Sequence, residues 1–212
     1  MSTDRAGAAA ALAARVRAVE DAAAQPAGLD RLAVAVRGCR ACPELAATRT
    51  QVVPGVTPRA ARIVLVGEAP GAQEDASGLP FVGRSGQLLD VLLAEAGIAR
   101  ERVAVLNTLK CRPPGNRAPS RTETATCRPW STRQLALLDP AVVVALGLSA
   151  TRWFLGPTSL AAVRGRVHER DGWRVLPTYH PSAALRFGPA GEPRRLLLAD
   201  LRDAARLADQ GS

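Results

Sequence analysis

The chain has 212 residues, 47% of them hydrophobic, and carries a formal net charge of +9. This length suits one domain with a substantial buried core. The basic charge predicts an anionic partner, although an Arg-rich coding bias is an alternative explanation. Lys110 is the only lysine, and arginine suits phosphate because its planar guanidinium donates two parallel hydrogen bonds. The sequence has no apolar run long enough for a membrane span and no signal-peptide layout, so we expect a cytoplasmic protein without a membrane partner.

Hydrophobic patterning divides the chain into an Ala-rich segment, residues 1–27, and a single domain, residues 28–212. The first segment is expected to be a helix or a flexible arm. The domain alternates strands and helices, which predicts a parallel sheet covered on both faces. In chain order we predict a helix over 29–36, a strand over 62–67, a helix over 85–96, a strand over 102–107, a helix over 121–138 interrupted at Pro129, a strand over 141–147, a helix over 149–155, a strand over 173–178 and a helix over 194–208.

Polar side chains follow three of the four predicted strands. The first strand runs into Glu68, the second ends in Asn107, and the fourth is followed by Tyr179 and His180. In parallel sheets the ligand site lies beyond the carboxyl ends of the strands. We therefore expect three adjacent strand ends to bring these polar groups together.

Three residues, two of them at these strand ends, suggest recognition of a nucleobase. The Asn107 amide offers an acceptor and two donors, which match an imide edge such as that of uracil; otherwise this Asn merely opens a turn. His180 precedes Pro181 at a loop mouth, whereas His168, in a short strand or turn of alternating charge, fits a surface histidine better. Phe81 follows a Gly/Pro loop and either stacks on a base or fills the core.

The segment GEAPGAQED, residues 67–75, follows the first strand directly. Pro70 and Gly71 predict a tight turn that lets the backbone approach a ligand. The segment matches neither GxGxxG nor a Walker loop, which argues against a nucleoside triphosphate site. Glu74 and Asp75 are acidic residues in a basic protein, and the alternative for them is a solvated loop charge.

Four cysteines predict one metal centre. Cys39 and Cys42 form a CxxC, and Cys111 and Cys127 flank a Pro- and Arg-rich loop. Four thiolates satisfy either tetrahedral zinc or an iron–sulfur cluster, and the spacing does not choose between them. Alternatively, the second pair are small buried hydrophobic residues.

The motifs GEAPG with QED, GLPFVGRSGQLLD, NTLKCRPPGNRAP and HPSAALR, together with the cysteine spacing, resemble those of the family 4 uracil-DNA glycosylases. This is the iron–sulfur branch of the uracil-DNA glycosylase superfamily, and the resemblance covers roughly residues 39–207. It implies a three-layer α/β/α fold with a central four-stranded parallel sheet. It also implies a 4Fe-4S cluster as cofactor, held by Cys39, Cys42, Cys111 and Cys127.

The resemblance also implies roles for individual residues. Phe81 would stack on a flipped uracil, Asn107 would read its N3 and O4, and His180 would face its O2. Glu74 would lie near C5 and oppose the methyl group of thymine, and Glu68 would act on the attacking water. Thus Glu68 and His180 are the expected catalytic residues, and the expected uracil-binding residues are Gly67, Glu74, Phe81, Asn107 and His180.

The expected partner is uracil-containing DNA, bound by a monomer. Arginines and the single lysine near the cleft would contact phosphates, and residues on the loop after His180 would enter the gap left by the flipped base. The expected DNA-binding residues are Lys110, Arg112, Arg117, Leu185 and Arg186.

The predicted activity is hydrolysis of the N-glycosidic bond of uracil in DNA, which leaves an abasic site and initiates base excision repair. One alternative is a superfamily member that acts on another deaminated base or crosslinks to DNA. The segment Pro119–Trp130 resembles an actinobacterial branch that crosslinks through a loop histidine, but Arg112–Arg121 contains no histidine, which favours a turnover enzyme. The other alternative is a non-catalytic iron–sulfur protein that binds nucleic acid.

Overall fold

The structure, a computed structural model, describes residues 2–210, with side chains from residue 6 onward. Its centre is a five-stranded sheet in the order β2-β1-β3-β5-β4. The strands are β1 (Ile63–Gly67), β2 (Val103–Asn107), β3 (Val142–Leu146), β4 (His168–Arg170) and β5 (Trp173–Thr178). The first three and β5 are parallel, which confirms the predicted α/β fold, and β4 adds a short antiparallel strand at the edge.

Helices cover both faces of the sheet. They are α1 (Ser2–Ala24), α2 (Leu29–Arg37), α3 (Pro43–Thr48), α4 (Ala72–Ser77), α5 (Arg84–Glu95), α6 (Arg121–Leu138), α7 (Gly147–Leu155), α8 (Leu160–Val163), α9 (Pro181–Phe187) and α10 (Glu192–Asp209), with 3₁₀ turns at Arg100–Arg102 and Pro114–Asn116. One face packs Leu65 against α5 and α10, and the other packs Leu106 against α6 and α7. Because both faces are covered, β1, β2 and β3 are buried along their whole length.

The strand register places the polar strand ends at one edge. Gly67 pairs with Asn107, and Leu146 pairs with Thr178. One expectation needs correction, because β3 lies between β1 and β5, so the three polar strand ends are not all adjacent. The residue after β3 is Gly147, so the end of β3 places no side chain between the ends of β1 and β5.

Three local predictions were wrong. The segment after β1 contains α4, and the segment after His180 is α9, so Glu74, Asp75, Leu185 and Arg186 lie on helices rather than in loops. Both helices are too short to show an apolar period. The third error concerns α6, which continues through Pro129 as one helix.

The N-terminal helix packs on the domain. Val19 and Ala23 of α1 lie in a buried cluster with Leu32, Leu45 and Trp130. The segment before residue 28 therefore contributes to the same core as α2, α3 and α6. Within residues 2–210, no helix combines the length and apolar character that crossing a membrane requires.

Candidate active site and metal centre

A cleft of about 440 Å³ opens at the carboxyl edge of the sheet. It collects four of the predicted site residues, Glu74, Phe81, Asn107 and His180, from different parts of the chain. The complete lining is Ala69, Gly71, Ala72, Gln73, Glu74, Phe81, Gly83, Arg84, Ser85, Asn107 and His180.

Gly67 and Asn107 lie side by side where β1 and β2 end, and of the two only Asn107 lines the cleft. A β-carbon at Gly67 would lie 2.5 Å from Asn107 Oδ1 and 2.7 Å from Phe81 Cζ, so only glycine leaves room for both side chains. Asn107 is 3% exposed, and its Oδ1 is buried without a hydrogen-bond partner among the described residues. A buried acceptor left unpaired costs about 1–3 kcal/mol, which a ligand N–H group would recover.

Phe81 faces His180 across the cleft. The two ring centroids are 5.7 Å apart, and the rings are tilted by 38°. Phe81 has a φ of 54°, in the left-handed region that an aromatic residue rarely adopts. It also belongs to the core cluster between the sheet and α5, so it both fills the core and lines the cleft.

His180 presents one N–H group to the cleft. Its Nδ1 accepts a hydrogen bond from the backbone N–H of Ser182 at 3.1 Å, and the Ser182 hydroxyl lies 2.8 Å from the same nitrogen. Since a backbone N–H can only donate, the ring proton is on Nε2. Burial lowers the pKa of His180 to about 4, so the ring is neutral at pH 7.

Glu74 links the start of α4 to residues 82–83, on the wall of the cleft opposite Asn107. Its Oε2 accepts from the N–H of Gly71 at 3.1 Å, and its Oε1 accepts from the N–H groups of Val82 at 3.0 Å and Gly83 at 2.9 Å. The carboxylate therefore sets the distance between the start of α4 and the segment that carries Phe81.

Glu68 is half-buried just beyond β1 and is not part of the cleft lining. Its main-chain carbonyl accepts from the N–H of Leu109 at 3.0 Å and the hydroxyl of Thr108 at 2.8 Å, which fixes the backbone. Its carboxylate makes no hydrogen bond within the described residues. This carboxylate, which has no hydrogen-bond partner among the described residues, therefore belongs to the residue next to Ala69 of the cleft lining.

Two predicted DNA-binding residues lie outside the cleft on α9. Leu185 and Arg186 are exposed, three and four residues after Ser182, so all three share one helix face. This face therefore continues from the position of His180 onto the protein surface.

The loop between Cys111 and α6 is held by its own ion pairs. Arg117 makes two hydrogen bonds to the carboxylate of Glu123, at 2.7 and 2.9 Å, and a longer one to Glu44. This pairing lowers the pKa of Glu123 to about 2. Arg112 donates to Asn116 Oδ1 at 2.7 Å. Arg117 thus fixes the loop, and both arginines keep exposed surface.

Lys110 corrects the prediction of a phosphate contact. Its side chain is 1% exposed, and its Nζ donates to the main-chain carbonyl of Asn107 at 2.9 Å. Burial lowers the pKa of Lys110 to about 8, against the opposing effect of Cys127 and Cys111. A side chain enclosed in this way does not reach DNA.

The four cysteines line one cavity on the side of the sheet covered by α2, α3 and α6. All four are free thiols, with Cys111 and Cys127 buried and Cys39 and Cys42 half-buried. Burial, together with repulsion from neighbouring cysteines, raises the pKa of Cys42 to about 11 and that of Cys127 to about 12.

Cationic and N–H groups surround these sulfurs. Arg49 donates to Cys111 Sγ at 3.1 Å, and the backbone N–H of Lys110 donates to Cys127 Sγ at 3.3 Å. Such donors stabilise thiolates, the form that binds metal. Among residues 2–210, no three His, Cys, Asp or Glu side chains form a group arranged for a single metal ion. Four soft donors around one cavity nevertheless fit a larger group bound by all four cysteines.

Three residues that position the site were missed from the sequence. Gly147 lies beneath His180, Ser182 fixes its tautomer, and Arg84 lines the cleft at the start of α5. Of the three, only Ser182 could have been predicted from the sequence, because a hydroxyl residue two positions after a histidine can form a local hydrogen bond with its ring.

Comparison with known proteins agrees with this geometry. The model of the family described as "Uracil DNA glycosylase superfamily" matches residues 54–202. A "Type-4 uracil-DNA glycosylase" of Thermotoga maritima is 45% identical over 172 residues, which cover 80% of this chain and 88% of the relative. One from Archaeoglobus fulgidus is 43% identical, over 74% of this chain and 83% of the relative.

A more distant relative is a "Type-5 uracil-DNA glycosylase" of Mycobacterium leprae, which is 32% identical over 80% of this chain and 91% of its own length. The family model spans most of the chain, and the type-4 relatives match it at higher identity. The chain therefore belongs to the uracil-DNA glycosylase superfamily, as a member of its type-4 branch.

Proposed function

We propose that this protein hydrolyses the N-glycosidic bond of uracil in DNA and leaves an abasic site, the first step of base excision repair. The observation that carries the proposal is the buried, unpartnered Oδ1 of Asn107, in a cleft whose lining also includes Phe81 and His180. An acceptor at this position suits the N3–H group of uracil. Cytosine carries no hydrogen on N3 and is therefore disfavoured.

The reaction requires that the nucleotide leave the helix, because a base inside a duplex is out of reach. The flipped uracil stacks on Phe81, and Asn107 reads its N3 and O4. Glu74 holds the wall near C5, where the methyl group of thymine would need space. The packing of Phe81 in the core cluster between the sheet and α5 keeps the ring in place before the base arrives.

The chemical step stretches the C1′–N1 bond and leaves negative charge on the uracil. The neutral His180 donates its Nε2–H to O2, where this charge develops, and its hydrogen bond to Ser182 holds the ring in that tautomer. A water molecule attacks C1′, oriented by the carboxylate of Glu68. The water oxygen becomes bonded to C1′, its proton passes to Glu68 or solvent, and the uracil anion is released and protonated by solvent.

We propose that Cys39, Cys42, Cys111 and Cys127 hold a 4Fe-4S cluster. The support is the shared cavity and the donors to Cys111 and Cys127. When bound, such a group supplies no electrons to a hydrolysis; it fixes the loops that carry its ligands.

We propose that Arg112, Arg117 and Arg186 contact phosphates and that Leu185 enters the gap in the duplex. All are exposed or half-exposed, and Leu185 and Arg186 continue the helix face that starts near His180.

The protein is expected to act as a monomer, since one chain supplies the whole cleft. It is expected to act in the cytoplasm, where its thiols stay reduced.

The deciding experiment uses an oligonucleotide with one uracil, followed by alkaline scission and a denaturing gel. We expect wild-type protein to create an alkali-labile site at uracil and Asn107→Asp to create far less. Hypoxanthine and thymine substrates test base choice, and a slowly migrating adduct would reveal crosslinking. Binding of the uracil strand without any cleavage would refute the proposal and favour a non-catalytic DNA-binding protein.

A further inference from the structure

Lys110 is an unusual residue in this chain. It is the only lysine, and it is also one of the largest fully buried side chains. Burying an ammonium group is expensive unless it is paired and hydrogen-bonded. Among the described residues, no carboxylate forms an ion pair with it, and it lines the same cavity as the four cysteines.

Lys110 contacts both functional parts of the molecule. Its Nζ donates to the main-chain carbonyl of Asn107 at 2.9 Å, and its backbone N–H donates to Cys127 Sγ at 3.3 Å. Its own carbonyl accepts from the N–H of Val53 at 2.8 Å, which fixes the backbone between these contacts. The residue next in sequence is Cys111.

We propose that Lys110 is a positioning residue that joins the metal centre to the amide that reads uracil. Its ammonium takes its counter-charge from the cysteine sulfurs and holds the carbonyl of Asn107. The proposal rests on the proposed function, because it takes the cysteines as metal ligands and Asn107 as the uracil-reading residue. It gives a centre that moves no electrons in a hydrolysis a role in base recognition.

The chemistry of lysine suits this role. Four thiolates around a metal centre carry excess negative charge, which compensates a buried cation. The ammonium is a compact charge with three donors, one of which bonds the carbonyl of Asn107. Lys110 precedes Cys111, and its backbone N–H donates to Cys127 Sγ, so removal of a metal from these cysteines loosens the segment that carries Lys110. The side chain of Lys110 is then free to leave the core, and the hold on Asn107 ends.

Because Lys110 is the only lysine, an amine-acetylating reagent can report its environment directly. In iron-loaded wild-type protein, mass spectrometry of the peptide containing Lys110 should show labelling roughly 100-fold slower than for a free lysine standard, as for a group exposed only by local opening. Chelating the metal should speed labelling at least tenfold. Labelling of the loaded protein at the rate of the standard would overturn the proposal.

A double-mutant cycle tests the link to Asn107 through binding rather than turnover. The probe is a duplex with a non-cleavable 2′-fluoro-2′-deoxyuridine. Lys110→Met should weaken its binding about tenfold, the effect of one charge-assisted hydrogen bond. In Lys110→Met/Asn107→Asp, binding should be no weaker than in Asn107→Asp alone. Additive losses would show a merely structural role and overturn the proposal.

Ser131→Ala is the matched control, because Ser131 donates a neutral hydrogen bond to the same carbonyl of Asn107 at 3.2 Å. It should weaken binding less than Lys110→Met, and equal losses would argue against a role for the charge. If Lys110→Met fails to fold or metal removal unfolds the chain, the labelling rate of loaded wild-type protein decides. That labelling does not depend on glycosylase activity, so a wild-type protein that releases no uracil refutes the proposed function separately.

Discussion

Gly147 leaves the space that His180 occupies. Gly147 follows β3 with a φ of 85°, and a β-carbon on it would lie 2.9 Å from the Cβ of His180. β3 separates the strand that leads to Glu68 from the strand that leads to His180. The imidazole therefore reaches the cleft because the end of the intervening strand carries no side chain.

This relationship predicts the effect of Gly147→Ala. The positive φ alone should lower the free energy of unfolding by about 1–2 kcal/mol. The contact with His180 should in addition displace the ring and reduce single-turnover uracil release by roughly 10²-fold, because a misplaced catalytic group loses much of its effect. Gly156→Ala is the control, since Gly156 has a φ of 78° but open space around its Cα. It should lose similar stability and keep its activity; equal activity in the two variants would contradict the prediction.

His180→Ala should reduce single-turnover cleavage by about 10²-fold or more, because one preorganised donor to a developing oxyanion contributes that much. Binding to a duplex with the non-cleavable 2′-fluoro nucleotide should change little, since the interaction strengthens only as charge develops. Full activity in a folded, metal-loaded variant would exclude His180 as the donor. A covalent DNA adduct that requires His180 would instead indicate the crosslinking chemistry.

The pH dependence of uracil release should reflect the low pKa of His180, about 4 in the folded protein. The neutral ring then persists as the pH falls from 7.5 to 5, so titration of His180 should not reduce the single-turnover rate in this interval. Stability behaves differently, because the unfolded chain binds this proton below about pH 6.5 and the folded chain does not until about pH 4. The contribution of His180 to the free energy of unfolding should therefore fall as the pH decreases through that window. A rate that halves near pH 6.5 would contradict this assignment.

Asn107→Asp should reduce uracil release strongly, since it replaces the amide donor with a charged carboxylate acceptor. The new carboxylate would also take the place of an oxygen that is buried without a hydrogen-bond donor among the described residues, which disfavours the folded protein at neutral pH. Cleavage rates across uracil, thymine and hypoxanthine substrates, together with thermal unfolding, separate the two effects. A variant as active as wild type would show that Asn107 does not read the base.

Metal analysis of protein purified without oxygen should find iron and broad visible absorption, as expected for a thiolate-bound cluster. Cys39→Ser should lose both iron and thermal stability, because metal binding is coupled to folding. Thr126→Val is the control, since Thr126 lines the same cavity but offers no thiol, and it should keep its iron. Zinc in place of iron would disprove the iron–sulfur cluster but would still support metal binding by the four cysteines.

The strands and the site residues attached to them could be predicted from the sequence. β1 and β2 are continuous apolar runs, and a polar residue that ends such a run in a parallel sheet lies at the ligand edge. Asn107 and His180 follow from this rule alone. The rule does not give strand order, so the position of β3 and the role of Gly147 emerged only from the fold.

The short helices could not be predicted for a physical reason. α4 and α9 have six and seven residues, so neither repeats an apolar position often enough to show a period. Each is instead started by a local contact: the Glu74 carboxylate accepts from Gly71, and His180 accepts from Ser182. Contacts of this kind depend on side-chain geometry rather than on composition.

Lys110 shows a further limit of sequence reasoning. A basic residue in a polar loop is normally solvated, and nothing local in the sequence indicates that this one is buried. It lines a cavity whose four cysteines come from distant parts of the chain, and its backbone N–H donates to Cys127 Sγ on α6. The hydrogen bond from Arg49 to Cys111 also could not be predicted, because the two residues are 62 positions apart in the sequence.

The three hydrogen bonds to Glu74 make the cleft tolerant of change at Val82 and vulnerable at Glu74. The donor at Val82 is a main-chain N–H group, which substitution by any residue other than proline preserves. A β-carbon at Gly71 would lie 2.9 Å from Glu74 Oε2, and one at Gly83 would lie 3.3 Å from Glu74 Oε1, so a side chain at either glycine would press on the carboxylate. The acceptor is a single side chain, so mutation of Glu74 removes all three bonds in one step. A change of substrate range toward a larger pyrimidine is expected to begin at that residue.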